Sequence, residues 1–370
     1  MRFSRRDLFS GLLGAAAASQ VPGQLARAAQ AHSRADQSKL GIPGLFPGRV
    51  VSVRHPGNVI DDKFQADAIQ ATMRRGMMEL AGAPDWVAAW RLFFEPGDVV
   101  GIKVNPVGQP DVISSPPVLH EIIAGLNAAG VKNKDIVVYD RYRQQFLKAG
   151  FDKWLPEGVR QDWAAQDFMN VQLDMEGYDP DHYMDMPLVL PNLDPHDVHT
   201  HRSYVCQFLT KHVNKVVNLP VLKHHQSAGV TLSLKNLSHG SVNNVNRSHP
   251  TPTLNVCGEF IPAVVNLPVI RNKVVLNILD GTLGMWHGGP GGRKGKYVWA
   301  HQTIYFGTDP VAVDKTGWLA IDEKRLQMGA APVAYAKPDA DSVYLNMQPE
   351  HIEIAGALGL GVFDEKKIVR

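Results

Sequence analysis

The chain alternates between short apolar runs and segments with helical periodicity. The runs of strand length are residues 49–54, 99–106, 135–140, 216–222, 272–280 and 303–308. Most of them are apolar at consecutive positions, as in strands that a parallel sheet buries on both faces. Apolar residues recur every three to four positions in residues 67–80 and 115–126, which predicts amphipathic helices. The pattern therefore predicts an α/β fold, in which a parallel sheet carries Rossmann-like layers of helices on both faces.

The pattern weakens between residues 141 and 195, where aromatic residues are interleaved with acids and prolines. This segment suggests an insertion or a lobe packed over the sheet. We expect residues 49–370 to form one α/β region with two possible lobes, 49–195 and 196–370, and a cleft between them. Residues 31–48 are rich in polar residues, glycine and proline, which predicts a linker or an arm.

Composition and charge are those of a globular protein without a strong overall field. Apolar residues make up 44% of the 370 residues and charged residues 20%, which is enough for a sizeable core. Lys and Arg number 38 against 36 Asp and Glu, and the basic residues do not gather in one patch. Because no positive field favours a polyanion, nucleic acid is excluded as a partner.

Residues 1–30 have the features of an export signal. Arg5 and Arg6 precede an alanine-rich, mildly apolar run at residues 12–18. The run is too short and too weakly apolar to span a bilayer, and no other segment is long enough, so we expect no stable membrane span. The paired arginines resemble a twin-arginine export signal. This resemblance implies a periplasmic or other extracytoplasmic protein that meets the twin-arginine export machinery already folded; an uncleaved amphipathic terminus is the alternative.

The chain contains two cysteines, Cys206 and Cys257. Two thiols exclude a four-thiolate iron–sulfur cluster or zinc site supplied by this chain alone. A disulfide and two buried free thiols are both compatible with the spacing.

The densest group of chemically active side chains follows the apolar run at residues 216–222. Its members are Lys223, His224, His225, Lys235 and His239. Such side chains at the carboxyl end of a buried strand are typical of an α/β active site. His225 is the candidate acid–base group because imidazole titrates near neutral pH, and Lys223 and Lys235 would neutralise a carboxylate or phosphate. A solvated loop is the alternative.

Two further strand ends carry candidate groups. Lys103 and Asn105 end the run at residues 99–106 and are candidates for substrate binding, although Lys103 could instead extend out of the sheet. Asp280 ends the run at residues 272–280 and leads into a glycine-rich loop with His287 and Arg293.

The glycine-rich loop lacks the G-x-G-x-x-G spacing of a dinucleotide site. Arg293 is a candidate to bind an anionic substrate there, and a disordered surface loop is the alternative. Imidazole and carboxylate suit a divalent transition metal. The candidate metal ligands are His224, His239, Asp280 and His287.

Several of these segments resemble the bacterial family catalogued as domain of unknown function 362. The matching motifs occur in the family's order at residues 101–105, 218–224, 229–237, 280–281, 307–314 and 359–362. They extend from about residue 95 to the end of the chain. Many members of this family carry an additional ferredoxin-like domain, but the present chain lacks the cysteines for an iron–sulfur cluster.

The segment from His225 to Lys235 is also similar to the histidine-to-lysine segment of the nickel-pincer lactate racemase family. In those enzymes the histidine is an acid–base group and the lysine tethers the pincer nucleotide, which implies these roles for His225 and Lys235. Residues 232–234 depart from the small residues and proline of the racemases. The first-lobe cofactor-binding pattern and the second catalytic histidine have no clear counterpart, so the resemblance implies shared architecture more than a shared cofactor.

These features together predict an exported enzyme that acts on a small polar or anionic molecule. A metal- or cofactor-dependent proton or hydride transfer, as in racemases and oxidoreductases, would use such side chains. The alternatives are a non-catalytic metal- or anion-binding protein of the cell envelope and a maturation factor for an exported redox enzyme.

Overall fold

The computed structural model describes residues 38–167, 172–291 and 295–370. The predicted export signal at residues 1–30, residues 31–37 of the predicted arm, and Arg293 lie outside the described residues.

The described residues form thirteen β-strands and ten α-helices. The strands are β1 (Val51–Arg54), β2 (Val59–Ile60), β3 (Lys63–Phe64), β4 (Val100–Lys103), β5 (Ile136–Tyr139), β6 (Arg160–Asp162), β7 (Tyr178–Asp185), β8 (Arg202–Cys206), β9 (Lys215–Asn218), β10 (Val221–His225), β11 (Gly229–Val230), β12 (Val274–Met285) and β13 (Val298–Gly307). The helices are α1 (Ala66–Ala81), α2 (Trp86–Arg91), α3 (Pro116–Ala129), α4 (Arg143–Ala149), α5 (Val198–His201), α6 (Leu232–His239), α7 (Cys257–Val265), α8 (Pro268–Lys273), α9 (Pro310–Gln327) and α10 (His351–Ala357).

One central sheet organises the fold, with the strand order β1-β13-β12-β9-β4-β5-β6. The five strands from β12 to β6 run parallel, whereas β13 is antiparallel to both β12 and β1. Strand β10 continues from β9 and pairs in parallel with the second half of β12. The predicted α/β class with a mostly parallel sheet is confirmed.

The sheet is buried on both faces. In β5, Ile136 and Val138 belong to the apolar cluster that contains helices α1 to α4, and Val137 and Tyr139 belong to the cluster with α6 to α10. Successive residues of a strand point to opposite faces. Helices cover both faces, so both sets of side chains are withdrawn from water, which explains why these strands are apolar at consecutive positions.

Strands β9 and β10 follow each other closely along the chain and both pair in parallel with β12. Leu219 and Pro220 separate them, and the Pro220 carbonyl accepts a hydrogen bond from the Asp280 N–H at 2.9 Å. Proline has no N–H to donate to a ladder, so regular pairing is interrupted at this point. After this interruption β10 carries Lys223 and His225 and pairs with the second half of β12.

The segment with the weak pattern includes β6 at the edge of the central sheet and β7, which pairs with β8 in a separate antiparallel hairpin. Strands from both predicted lobes share the central sheet, and Lys39–Arg370 forms one compact unit. The division into lobes at residues 195 and 196 stays a prediction.

The amino-terminal and carboxyl-terminal segments meet at Asp309. Its carboxylate accepts hydrogen bonds from the N–H of Gly48 at 2.9 Å, of Ala312 at 2.9 Å and of Val362 at 2.8 Å. It therefore caps α9 and also joins the arm before β1 to the segment after α10.

The longest helix among the described residues is α9. It carries charged side chains, including the run Asp322-Glu323-Lys324-Arg325. None of the helices in the described part of the chain combines the length and the apolar character that a membrane span requires.

Candidate functional site

A cavity of about 240 Å³ lies at the carboxyl ends of β4, β5 and β10, beside helix α6. Ligands of open α/β sheets commonly bind at this edge. Six of the predicted site residues line the cavity: Lys103, Asn105, Lys223, His225, Lys235 and His239. Residues at the ends of two separate apolar runs thus meet side chains of helix α6 in one place.

Lys103 forms a buried ion pair with Asp140 at the base of the cavity. The Nζ–Oδ1 distance is 2.6 Å, and the two side chains are 1% and 7% exposed. Burial lowers the pKa of the Lys103 ammonium, and Asp140 opposes this shift. Gly240 packs so tightly against this lysine that a Cβ at position 240 would overlap Lys103 Cε.

Asn236 connects the lysine pair to the rest of the cavity wall. Its Oδ1 accepts hydrogen bonds from Lys103 Nζ at 3.2 Å and from Asn105 Nδ2 at 3.0 Å. Its Nδ2 donates to Asn218 Oδ1 at 2.8 Å, and Asn218 in turn donates to Asn277 Oδ1 at 2.9 Å. A network of satisfied buried amides fixes the positions of the groups it joins.

Lys223 is fully buried, and its ammonium has no carboxylate within ion-pair distance among the described residues. Its Nζ donates to Asn105 Oδ1 at 2.7 Å and to the Val107 carbonyl. Burial lowers the pKa of Lys223 well below its ordinary value, and the nearby Lys235 and Lys103 lower it further. An anion in the cavity would compensate this charge.

Helix α6 places Lys235 in the cavity. The first turn of the helix is held by Asp314 of α9, whose carboxylate accepts the N–H groups of Ser233 at 2.7 Å and Leu234 at 2.8 Å. Leu232, at the start of the helix, has a left-handed backbone with φ of 44°. An apolar side chain rarely adopts this conformation, so the surrounding structure must hold it there.

Lys235 is 6% exposed, and no hydrogen bond or ion pair of its ammonium is found among the described residues. Burial lowers its pKa to about 8, while Cys257 raises it and Arg141 lowers it. A lysine with this pKa is partly neutral near physiological pH and can act as a base or a nucleophile.

His225 lines the cavity with a defined ring proton. Its Nδ1 accepts the N–H of Ser227 at 3.2 Å and of Ala228 at 3.3 Å, so the proton of the neutral ring lies on Nε2. Burial, followed by the charge of Lys235, lowers the pKa of His225 well below its ordinary value. The ring is therefore a neutral hydrogen-bond donor at Nε2.

The cavity has a strong excess of positive groups. Lys103, Arg141, Lys223 and Lys235 line it, and Asp140 is the carboxylate among its lining residues. Because Asp140 is already paired with Lys103, the remaining positive groups favour an anionic ligand.

A wider cleft of about 670 Å³ adjoins the cavity. The two share Pro106, Val107, Gln145 and Pro290 in their walls. The walls of the cleft include the loop at residues 106–110 and residues 288–291 of the glycine-rich loop.

Three predicted metal ligands do not line the cavity. Asp280 accepts the N–H of Ser115 at 2.9 Å and the hydroxyl of Thr282 at 2.6 Å, so its carboxylate orders the start of α3. His224 and His287 lie together, with ring centroids 5.3 Å apart.

His224 and His287 each have a protein partner. His224 Nε2 lies 3.2 Å from Met347 Sδ, and His287 Nε2 lies 2.9 Å from Asp339 Oδ2. Arg325 contacts the other ring nitrogen of His287 at 3.0 Å. Their predicted role as ligands, like that of Asp280, stays a prediction.

The sequence did not single out five residues that the structure brings to this site: Asp140, Arg141, Asn236, His249 and Cys257. Asp140 ends an apolar run and Asn236 lies one residue after Lys235, so both carried a local signal. His249 and Cys257 had none, because they reach the site through a loop and the start of α7. Both cysteines are free and buried.

The sequence profile of the family described as "Domain of unknown function (DUF362)" matches residues 100–318, more than half of the chain. The chain belongs to the DUF362 family. All the residues named above that line the cavity of about 240 Å³ lie within residues 100–318, the range that the family profile matches.

No curated protein matches this DUF362 chain. Among solved structures, it is similar to the lactate racemase apoprotein from Thermoanaerobacterium thermosaccharolyticum, with 13% sequence identity and a TM-score of 0.37. The likeness covers 82% of this chain and 61% of the racemase, so the chain spans less than two thirds of that protein.

Proposed function

We propose that this DUF362 protein is an enzyme that binds a small anionic molecule in the cavity and moves a proton at a carbon atom of that molecule. One observation carries the proposal. Lys235, a buried lysine without a carboxylate partner among the described residues and with a pKa of about 8, lines the same cavity as Lys223 and His225. Perturbed ionisable groups that converge in a cavity are typical of active sites.

Binding would rest on the ammonium of Lys223 and the guanidinium of Arg141. Both line the cavity, and a bound carboxylate or phosphate would offset the desolvation of Lys223. The volume of about 240 Å³ suits a small molecule rather than a nucleotide or a peptide.

Proton transfer would rest on Lys235 and His225. The neutral amine of Lys235 accepts the proton from a carbon next to a carbonyl group, and its pKa of about 8 suits that task near neutral pH. His225 donates from Nε2 to the oxygen on which negative charge develops. Delivery of a proton to the opposite face of that carbon, or to the adjacent carbonyl carbon, completes an isomerisation without an external oxidant.

Exchange of carbon-bound hydrogen with solvent tests this proposal. The purified protein is incubated in D₂O with a panel of small hydroxy and oxo carboxylates and phosphates, and loss of C–H signals is followed by NMR. We expect exchange with at least one compound, and a fall of about 100-fold or more in Lys235→Met and His225→Gln.

The exposed Lys211→Met is the matched control and should exchange at the rate of the unmodified protein. Exchange that persists in Lys235→Met would contradict the assigned base. Anion binding without exchange of any compound would instead favour the non-catalytic anion-binding protein.

We further propose that the chain is exported in the folded state. Support comes from Arg5 and Arg6 ahead of the mildly apolar run. Changing both to lysine should retain the protein in the cytoplasm, as measured by cell fractionation, while Arg27→Lys should leave its distribution unchanged. Equal distribution of the paired variant and the unmodified protein would count against this export route.

A further inference from the structure

Three side chains with metal-binding atoms converge beside Lys235. They are His239 at the end of α6, His249 in the following loop and Cys257 at the start of α7. One ligand atom from each lies within 4.8 Å of the other two. Three separate parts of the chain thus supply two imidazoles and one thiol to one small volume.

The spacing is close to that of a tetrahedral metal centre. Bond lengths of about 2.0 Å to nitrogen and 2.3 Å to sulfur place tetrahedral ligand atoms roughly 3.3 to 3.6 Å apart. In the structure the three ligand atoms lie within 4.8 Å of one another, an upper limit that exceeds the tetrahedral spacing by little more than an ångström. Rotation of the histidine side chains about their χ angles can provide that change without movement of the backbone.

The hydroxyl of Ser248 lies among the three side chains. Its Oγ is 2.7 Å from His249 Nδ1, 3.1 Å from His239 Nε2 and 4.0 Å from Cys257 Sγ. It also donates to the Val245 carbonyl at 2.7 Å. The three side chains therefore surround one point, which at present holds a polar oxygen.

We propose that His239, His249 and Cys257 bind one divalent transition metal of the zinc, cobalt or nickel class. Thiolate together with imidazole selects these metals over magnesium and calcium, which prefer oxygen ligands. Binding breaks the S–H bond of Cys257 and forms a metal–sulfur bond, and the thiol proton passes to solvent. The metal takes the place of the Ser248 hydroxyl between the rings.

Three protein ligands leave a fourth position open, as in zinc sites that bind a substrate or water. His239 and His249 both line the cavity, so the proposed metal site adjoins it. Lys235 is a neighbouring cation, and its charge opposes the metal. The site goes beyond the proposed proton transfer, because binding of the metal requires neither the amine of Lys235 nor a substrate.

Titration of the chelator-stripped full chain with Co²⁺ under reducing conditions tests the site. We expect one Co²⁺ per chain with a sulfur-to-cobalt charge-transfer band, which Zn²⁺ displaces. Cys257→Ser should abolish the band, and His249→Ala should weaken binding by at least about 100-fold, since even indirect supports of a metal site contribute 10- to 100-fold.

Cys206→Ser is the matched control, because Cys206 is the other buried thiol and lies on β8 outside the metal group. It should keep the band. Ser248→Ala and Lys235→Met should bind Co²⁺ at least as tightly as the unmodified protein does. These two variants test the site if the Cys257 variant does not fold.

No stoichiometric binding, a band that survives Cys257→Ser, or weaker binding in both Ser248→Ala and Lys235→Met would overturn the metal site. The titration contains no substrate, so its failure is distinguishable from failure of the proton-transfer proposal in the exchange experiment.

Discussion

Lys235→Met is expected to make the protein more stable at pH 7 while it abolishes exchange at carbon. Burial lowers the pKa of Lys235 from 10.5 to about 8, so the folded state holds this proton less tightly than the unfolded state. The charged lysine therefore destabilises the fold by about 3 kcal/mol at pH 7. Methionine has a similar length and no charge, and no hydrogen-bond partner of Lys235 among the described residues would be left unsatisfied.

The pH dependence of the gain in stability shows whether the buried charge of Lys235 is its cause. The penalty is fully present below pH 8 and declines as the pH rises toward 10.5, because the unfolded lysine then also loses its proton. Denaturant midpoints of both proteins should therefore differ at pH 7 and converge near pH 10.5. Lys211→Met, at an exposed position, should show no difference at either pH. A destabilised Lys235→Met would mean that the lysine has a partner in solution.

Asp140→Asn is expected to destabilise the protein by about 3–5 kcal/mol, as measured by equilibrium denaturation. Removal of one member of a buried ion pair leaves the other charge without compensation. Here Lys103, with a side chain only 1% exposed, would lose its carboxylate partner at 2.6 Å. The double variant Asp140→Asn with Lys103→Met removes both charges and should be more stable than Asp140→Asn alone.

A surface ion pair of similar length provides the control. Arg75 and Glu79 are 2.7 Å apart, but their side chains are 67% and 45% exposed. Glu79→Gln should cost less than about 1 kcal/mol, because water screens the pair. If Glu79→Gln and Asp140→Asn lowered the free energy of unfolding by similar amounts, burial would not explain the effect of removing Asp140.

The fold could be predicted because its strands are buried on both faces and are therefore apolar at consecutive positions. Helix α6 could not be recognised in the same way. Val230, Leu232 and Leu234 alternate with polar residues as in a strand, although the structure buries all sides of this segment. The helix also depends on Asp314, about 80 residues later in the chain, which accepts the N–H groups of its first turn.

The cavity was predictable where a charge followed a buried strand, as at Lys103 and Lys223. Which residues of the same strand face the cavity was harder to predict, because neighbours in a strand face opposite sides. Lys223 and His225 line the cavity, whereas His224 between them contacts Met347. The contact of Lys103 with Asn236 spans 133 residues, a distance across which a local sequence pattern carries no information.

Strand β1 pairs with β13, where Val51 lies opposite Phe306, and the arm before it is bound by Asp309. A ribosome adds roughly 5–20 residues per second, so β1 waits on the order of 10–50 s for its partner to be synthesised. Throughout that time β1 cannot form its pairing with β13. Strand β1 and the arm at Gly48 are therefore secured only after β13 and Asp309 have been synthesised.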